Sequence, residues 1–388
     1  MSRHFSRFIE DVQAHVVDYM NCVVETQKRF VKYTIRDVAE LVIKSCKDKQ
    51  SRQASIELKS SLSGAPKSAI AYWSNRVIQT DLRGLFTSTA QSCINYTYNS
   101  QLTSKPRWFA VDGTVITTPL TDKTTSLSHS SVSCIIDLHS ALMCYANIDD
   151  RCNENAMFQQ QLLSLPSNSG IVADRGYCAA STLRALHNAD INFVIRAKSN
   201  LLYLREFILG DADHTTVTHN GVQMNVFKTT NLDDNESIWI LLTNVQSLTM
   251  DECVKLYKSR WKIETAFKQI KTNFNFRRPL KVVNHSFASE MIEYNVLMSL
   301  IMYNLSISIR RHIDKTTSKT HTFTSVSDYI QSIVCLMSNN RKRATLSLIR
   351  LIVLASRGRV INKTSKTKTP HPKVPGRYKS RARMLGVT

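Results

Sequence analysis

The sequence predicts a mixed α/β fold with a helical segment at each end, on three observations. Residues 1–105 carry amphipathic helical runs such as 8–24 and 35–46, separated by polar segments. Residues 106–310 alternate short β-type apolar runs with helical ones, and residues 311–388 form a basic region that starts helical and ends in a tail. Within the first segment, 61–67 (Ser-Leu-Ser-Gly-Ala-Pro-Lys) followed by 69–77 reads as a turn leading into a helix with Arg76 on its face. The middle segment reads in order as a strand (107–111), two strands (132–138 and 142–147), a helix (154–164), a strand (171–173), a helix (180–188) and a strand (191–196). Two β-type pieces follow, 215–218 and 222–227, around His219-Asn220-Gly221, a hairpin-turn signal.

The chemistry concentrates in the run 257–271, Tyr-Lys-Ser-Arg-Trp-Lys-Ile-Glu-Thr-Ala-Phe-Lys-Gln-Ile-Lys. On one continuous helix, Arg260, Glu264 and Lys271 fall about 60°, 20° and 40° behind Tyr257, so all four project from one stripe. Leu256, Ile263, Phe267 and Ile270 form a separate apolar stripe that a core can bury. The polar stripe sets a carboxylate between two cations suited to phosphate. An ordinary i,i+4 salt bridge from Arg260 to Glu264 is the alternative.

Two upstream apolar runs each lead into an aspartate. Residues 108–111 run into Asp112-Gly113-Thr114, as a strand delivering a carboxylate at its tip, and 170–173 run into Asp174-Arg175-Gly176-Tyr177. Either Asp alone is an ordinary turn former. Three carboxylates from separate elements can instead hold two divalent cations, one at the attacking and one at the leaving oxygen of an in-line phosphoryl transfer.

With these residues the chain resembles the DDE transposases of bacterial insertion sequences, specifically the insertion-sequence-four group with its Y-x2-R-x3-E-x6-K signature, here Tyr257, Arg260, Glu264 and Lys271. The resemblance implies an RNase H-like mixed-sheet catalytic core at 106–310, between a DNA-end-binding helical domain at 1–105 and the basic region at 311–388. It implies that Asp112, Asp174 and Glu264 are the catalytic, metal-binding triad, with Mg²⁺ expected and Mn²⁺ able to substitute. It implies DNA contacts from Tyr257, Arg260 and Lys271, and from Arg196 and Lys198 at the exit of the last core strand. A β-rich insertion is expected at 198–238, and Trp239 matches the family tryptophan that stacks on a flipped base, with Trp261 as the opposing wall. Packing of Trp239 in a buried strand and of Trp261 in the core is the plainer reading. The implied partners are the element's terminal inverted repeats and target DNA, bound by a homodimer in the bacterial cytoplasm at the nucleoid. A nuclease or resolvase of the same fold, or a DNA-binding regulator derived from a transposase, is the alternative.

Composition points to nucleic acid independently. The formal charge is +21 and the pI about 9.7. No acidic residue follows Asp328, while fourteen Lys and Arg fall between Arg341 and Arg383. Nine scattered cysteines without a Cys-x-x-Cys pair argue for a reducing compartment and against structural zinc. Met1-Ser-Arg-His-Phe has no apolar core after its basic start, so no signal peptide is expected. The apolar stretch 291–309 is interrupted by Glu293, Asn295 and Asn304 and reads as a buried helix, not a membrane span. Asp149 and Asp150 read as a polar turn, His129 and His139 as satisfied histidines, and Met291, Met298 and Met302 as core.

Overall fold

The computed structural model describes residues 2–25, 42, 66–98, 106–119, 127–149, 153–231, 237–274, 276, 285–317 and 322–355. Most of the helix expected at 35–46, the turn at 61–65, Asp150 and the tail from 356 onward lie outside them.

One mixed sheet of eight strands organises the described residues, in the order β3-β2-β1-β4-β5-β8-β7-β6. Its strands are β1 (Arg107–Pro119), β2 (Leu127–Asp137), β3 (Met143–Asp149), β4 (Ser169–Ala173), β5 (Asn192–Arg196), β6 (His214–His219), β7 (Val222–Asn231) and β8 (Ser237–Thr243). The β1–β4 and β4–β5 pairs are parallel and the other pairs antiparallel. All five residues of β4 are buried, as expected of a parallel strand covered on both faces. The β6–β7 turn forms as the sequence predicts, with Asn220 at φ 52° and Gly221 at φ 81°, both in the left-handed region a two-residue hairpin demands.

Strands β6 and β7 fall in the stretch 198–238 expected to be β-rich, and because β8 pairs with β5 and β7 with β8 they prolong the central sheet. One expectation changes. Strand β1 does not stop at its aspartate. It continues to Pro119 because β2 keeps pace with it, from Phe109 opposite Asp137 to Pro119 opposite Leu127.

The described N-terminal helices are α1 (Arg3–Glu25), α2 (Lys67–Gln79) and α3 (Arg83–Tyr98). They pack with the C-terminal helices α9 (His285–Thr317), α10 (Phe323–Ser338) and α11 (Lys342–Ala355). The Phe5 ring stacks on His312 at 3.6 Å, Tyr96 Oη lies 3.2 Å from His312 Nδ1, and Arg83 pairs with Glu293 at 2.6 Å. Within α9, Ser289–Thr317 is long and apolar enough to cross a membrane, yet 89% of its most apolar window is buried inside the protein. Asn304, in that window, both accepts from Met143 N (2.9 Å) and donates to Met143 O (2.8 Å), docking the helix on the outer strand β3.

A buried carboxylate closes the junction between sheet and helices. Asp137, fully buried at the end of β2, accepts from Arg107 Nε (2.8 Å), Tyr98 Oη (2.6 Å) and the backbone N–H of His139 (2.7 Å). The Arg107 guanidinium also lies over the rings of Tyr98 (4.6 Å) and Phe109 (4.9 Å). Removing one member of such a set leaves an uncompensated charge inside. Asp137→Ala is therefore expected to cost about 3–5 kcal/mol in urea unfolding, and a loss under about 1 kcal/mol, the range of an exposed pair, contradicts this assignment.

Candidate active site

The parallel pairing of β1 with β4 brings the two aspartates together. Ala110 stands opposite Val172, so two residues further on Asp112 comes level with Asp174, one position beyond the end of β4. Adjacent strands lie about 4.8 Å apart and level residues of a parallel pair face the same way. Asp112 itself is paired on its other side with Cys134 of β2. Its Oδ1 accepts from the N–H of Gly113 (2.9 Å). Asp174 stays extended, at φ −80° and ψ 179°, and its Oδ1 caps the one-turn 3₁₀ helix Arg175–Tyr177 through Gly176 N (2.7 Å).

The Glu264 segment is two helices, not the one continuous helix expected: α7 (Met250–Ser259) and α8 (Trp261–Asn273), joined at Arg260. Bonds of the tighter i→i+3 kind replace the helical ladder there, Arg260 N to Tyr257 O (3.1 Å) and Ile263 N to Arg260 O (3.0 Å). The Ser259 hydroxyl donates to Leu256 O at 2.6 Å, a side-chain bond that bends helices. Tyr257 thus belongs to α7, while Glu264 and Lys271 belong to α8. Ile263, Ala266, Phe267 and Ile270 bury one face of α8, and this burial orients the opposite, polar face.

Arg260 donates to Glu264 Oε1 at 2.5 Å, so the i,i+4 pair forms. The pair is not an isolated surface feature, because Arg260 is only 9% exposed and its charge acts on Asp112. Lys271 donates from Nζ to Thr114 Oγ1 at 2.6 Å, reaching β1 two residues beyond Asp112. Asp112, Asp174, Glu264, Arg260 and Lys271 therefore converge on one end of the β1–β4 pair.

The remaining expected DNA contacts divide. Trp239 is 8% exposed, packed edge-on to Tyr257 at 4.9 Å with the Arg196 guanidinium 5.5 Å over its ring. Tyr257 is also buried, with Arg260 at 5.7 Å over its ring. In the chain without DNA, Tyr257 and Arg196 cover the Trp239 ring. Trp261 is 64% exposed and so is not the core residue of the plainer reading. Lys198 is exposed just past β5, and its charge bears on Cys178 at the end of the Asp174 turn.

Two further groups meet this site. Glu154 begins helix α4 (Glu154–Leu162), capped by Asn153 through Ala156 N. A β-carbon on Gly113 would lie 2.4 Å from Glu154 Oε1, so the carboxylate rests on the backbone next to Asp112. Gly113 lies inside a strand, and this close approach is what calls for glycine there. Tyr177, at the end of the Asp174 turn, is 2% exposed and packs edge-on to Phe158 of α4 at 5.4 Å. Burial, then the charges of Glu154, Asp112 and Asp174, push its phenol far above the ordinary tyrosine value.

The donor types suit hard divalent cations, with carboxylate oxygens from β1, the β4 turn and α8, and the Glu154 carboxylate fills the space a β-carbon at Gly113 would take. Among the described residues, no three acidic, imidazole or thiol groups already stand at mutual ligating distance. Glu264 is held to Arg260. Burial first, then Asp174 and Glu264, raise the Asp112 carboxyl to about 6, against the lowering effect of Gly113 N–H and Arg260. The folded chain thus retains a proton that the unfolded chain releases. The associated stability is fully present below the unfolded value of 3.8 and is lost as pH rises through about 6. Without divalent cations, Asp112→Asn is therefore expected to be more stable than wild type at pH 8, by up to about 3 kcal/mol, with the gap closing by pH 4. Urea unfolding in EDTA measures this, and a less stable asparagine variant at pH 8 contradicts it.

A family profile described as the transposase DDE domain matches residues 103–305, more than half of the chain. A search of curated protein sequences returned no relative. Among solved structures, the fold is similar to that of a piggyBac transposase synaptic complex with hairpin DNA, at TM-score 0.51 and 11% identity, covering 90% of this chain and 84% of that one. The two aspartates of the β1–β4 pair and the glutamate of α8 lie inside the matched span, and the chain belongs to the DDE transposase family of DNA transposases.

Proposed function

We propose that this transposase moves a DNA element by cut-and-paste, with Asp112, Asp174 and Glu264 as the carboxylates that hold its divalent cations. The observation that carries the reading is the convergence of these three acids, from three elements, with Arg260 and Lys271 beside them. Mg²⁺ is the proposed ion, with Mn²⁺ able to substitute, and when bound such ions stabilise charge on the attacking and leaving oxygens of the phosphodiester. The chain's own residues orient the rest. Arg260 and Lys271 hold non-bridging phosphate oxygens, and the Arg260 fork suits bidentate contact. Water is the first nucleophile, breaking the bond to the element's 3′-oxygen. The released 3′-OH then attacks target DNA, its proton leaving as the new phosphodiester forms and a target 3′-OH departs.

The element is proposed to be a bacterial insertion sequence of the insertion-sequence-four group, and the β1–β5 sheet to be RNase H-like. Its partners are the terminal inverted repeats and target DNA, gripped by the N-terminal helices and tracked by the basic region at 311–388. The similar piggyBac structure is a synaptic complex, and a homodimer on paired ends is proposed here by the same logic of cutting two ends together. The site of action is the cytoplasm, at the nucleoid.

Single Ala substitutions at Asp112, Asp174 or Glu264 are expected to abolish cleavage in Mg²⁺ while leaving end binding largely intact, because phosphate neutralisation elsewhere supplies most of the affinity. Cleavage by Glu264→Ala at an appreciable rate removes this assignment. Arg260→Lys keeps the charge but loses the fork, and single-turnover cleavage is expected to fall well below wild type without a matching change in thermal melting. Wild-type rates in that variant return Arg260 to a salt-bridge role. Products that are cut but never joined to target favour a nuclease or resolvase instead. Truncation after Ser356 is expected to lower DNA affinity and flatten its salt dependence, and superimposable isotherms over a salt series contradict a DNA-tracking tail.

A further inference from the structure

Glutamate at the first position of a helix ordinarily faces solvent and complements the helix dipole. Glu154 instead lies half-buried on the Gly113 backbone, within range of the Asp174 charge. Among the described residues it has no cationic partner and no hydrogen-bond donor. A second unsatisfied group stands beside it. The Tyr177 hydroxyl is buried with no hydrogen-bond partner among the described residues, and the charges of Glu154, Asp112 and Asp174 all act on it.

The local packing holds both groups in place. Phe158 lies one turn beyond Glu154 on the same face of α4, and the Tyr177 ring packs against it. Asn155 Nδ2 donates to Gly176 O (3.3 Å) and Asn155 Oδ1 accepts from Thr182 (3.2 Å), so the start of α4 is tied to the Asp174 turn. A half-buried carboxylate and a buried hydroxyl, each without a partner among the described residues, carry a desolvation cost. A divalent cation between Asp112 and Asp174 would offset the first, and its hydration shell would satisfy the second.

We propose that Glu154 is a fourth carboxylate of the cation site, supplying charge from the Gly113 side, and that the Tyr177 hydroxyl acts with it as a positioning donor. This rests on the reading of Asp112 and Asp174 as cation ligands. Glycine at 113 is then part of the site, since a side chain there would displace the Glu154 carboxylate.

The test is a Mn²⁺ titration of full-length protein without DNA, followed by calorimetry and by the free-Mn²⁺ paramagnetic resonance signal, with thermal melts in EDTA to confirm folding. Glu154→Gln preserves shape and removes charge. It is expected to weaken Mn²⁺ binding by about tenfold or more, the range for groups that support metal ligands, or to lower the number of ions bound. Tyr177→Phe, which keeps the ring on Phe158, is expected to weaken it less. Gly113→Ala removes no carboxylate and is expected to resemble Glu154→Gln, which keeps the proposal testable if one variant folds poorly. Asp112→Asn is the reference. If Asp112→Asn loses Mn²⁺ while Glu154→Gln and Gly113→Ala bind as wild type, the role of Glu154 is overturned and the three-carboxylate reading stands. Wild-type binding in all of these variants overturns both.

Discussion

Everything at the site depends on the parallel register between β1 and β4. That pairing places Asp112 level with Asp174 and ends just before them, so two carboxylates face the same way where the shorter strand stops. Burial first, and then the like charge at the adjacent strand position, raise the Asp112 carboxyl to about 6. The arrangement is unfavourable for the chain alone and is held by the buried sheet around it. Local destabilisation of this kind is common where a protein stores charge for a ligand.

The helices supply the holding force. Asn304 of α9 hydrogen-bonds to the backbone of the outer strand β3, and Asp137 joins β2 to α3 through Arg107 and Tyr98. On the other flank, α8 buries Ile263, Ala266, Phe267 and Ile270 and so presents Glu264 and Lys271 toward β1. Arg196, Trp239, Tyr257 and Arg260 form a chain of ring and cation contacts that begins in the sheet and ends beside Asp112. Tyr257 and Trp239 thereby influence the site as braces for Arg260.

Most strands and helices of the central segment were legible because their hydrophobic periods differ, two for strands and 3.6 for helices. The candidate acids and cations were singled out by their spacing together with the family resemblance, and the fold brings Asp112, Asp174, Glu264, Arg260 and Lys271 to one end of the β1–β4 pair. What the sequence hid was set by long-range pairing. That β6, β7 and β8 would extend the central sheet follows from the β5–β8 pairing, which no local pattern encodes. At Arg260 backbone bonds of the i→i+3 kind replace the helical ladder, a local change that a uniform 100° helical wheel omits. Glu154 reads locally as a helix-start residue, and only its approach to Gly113 across the fold reveals more. A glycine inside a β-branched run was the available signal.

The central claim is that Asp112, Asp174 and Glu264 surround one divalent-cation site. Replacing Mg²⁺ by Fe²⁺ and generating hydroxyl radicals at the bound iron would cleave the backbone wherever it lies beside the ion. The account predicts cuts confined to stretches around residues 112, 174 and 264, and around 154 where Glu154 faces the site, all suppressed by excess Mg²⁺. Cuts elsewhere, or cuts near only one of residues 112, 174 and 264, would contradict it.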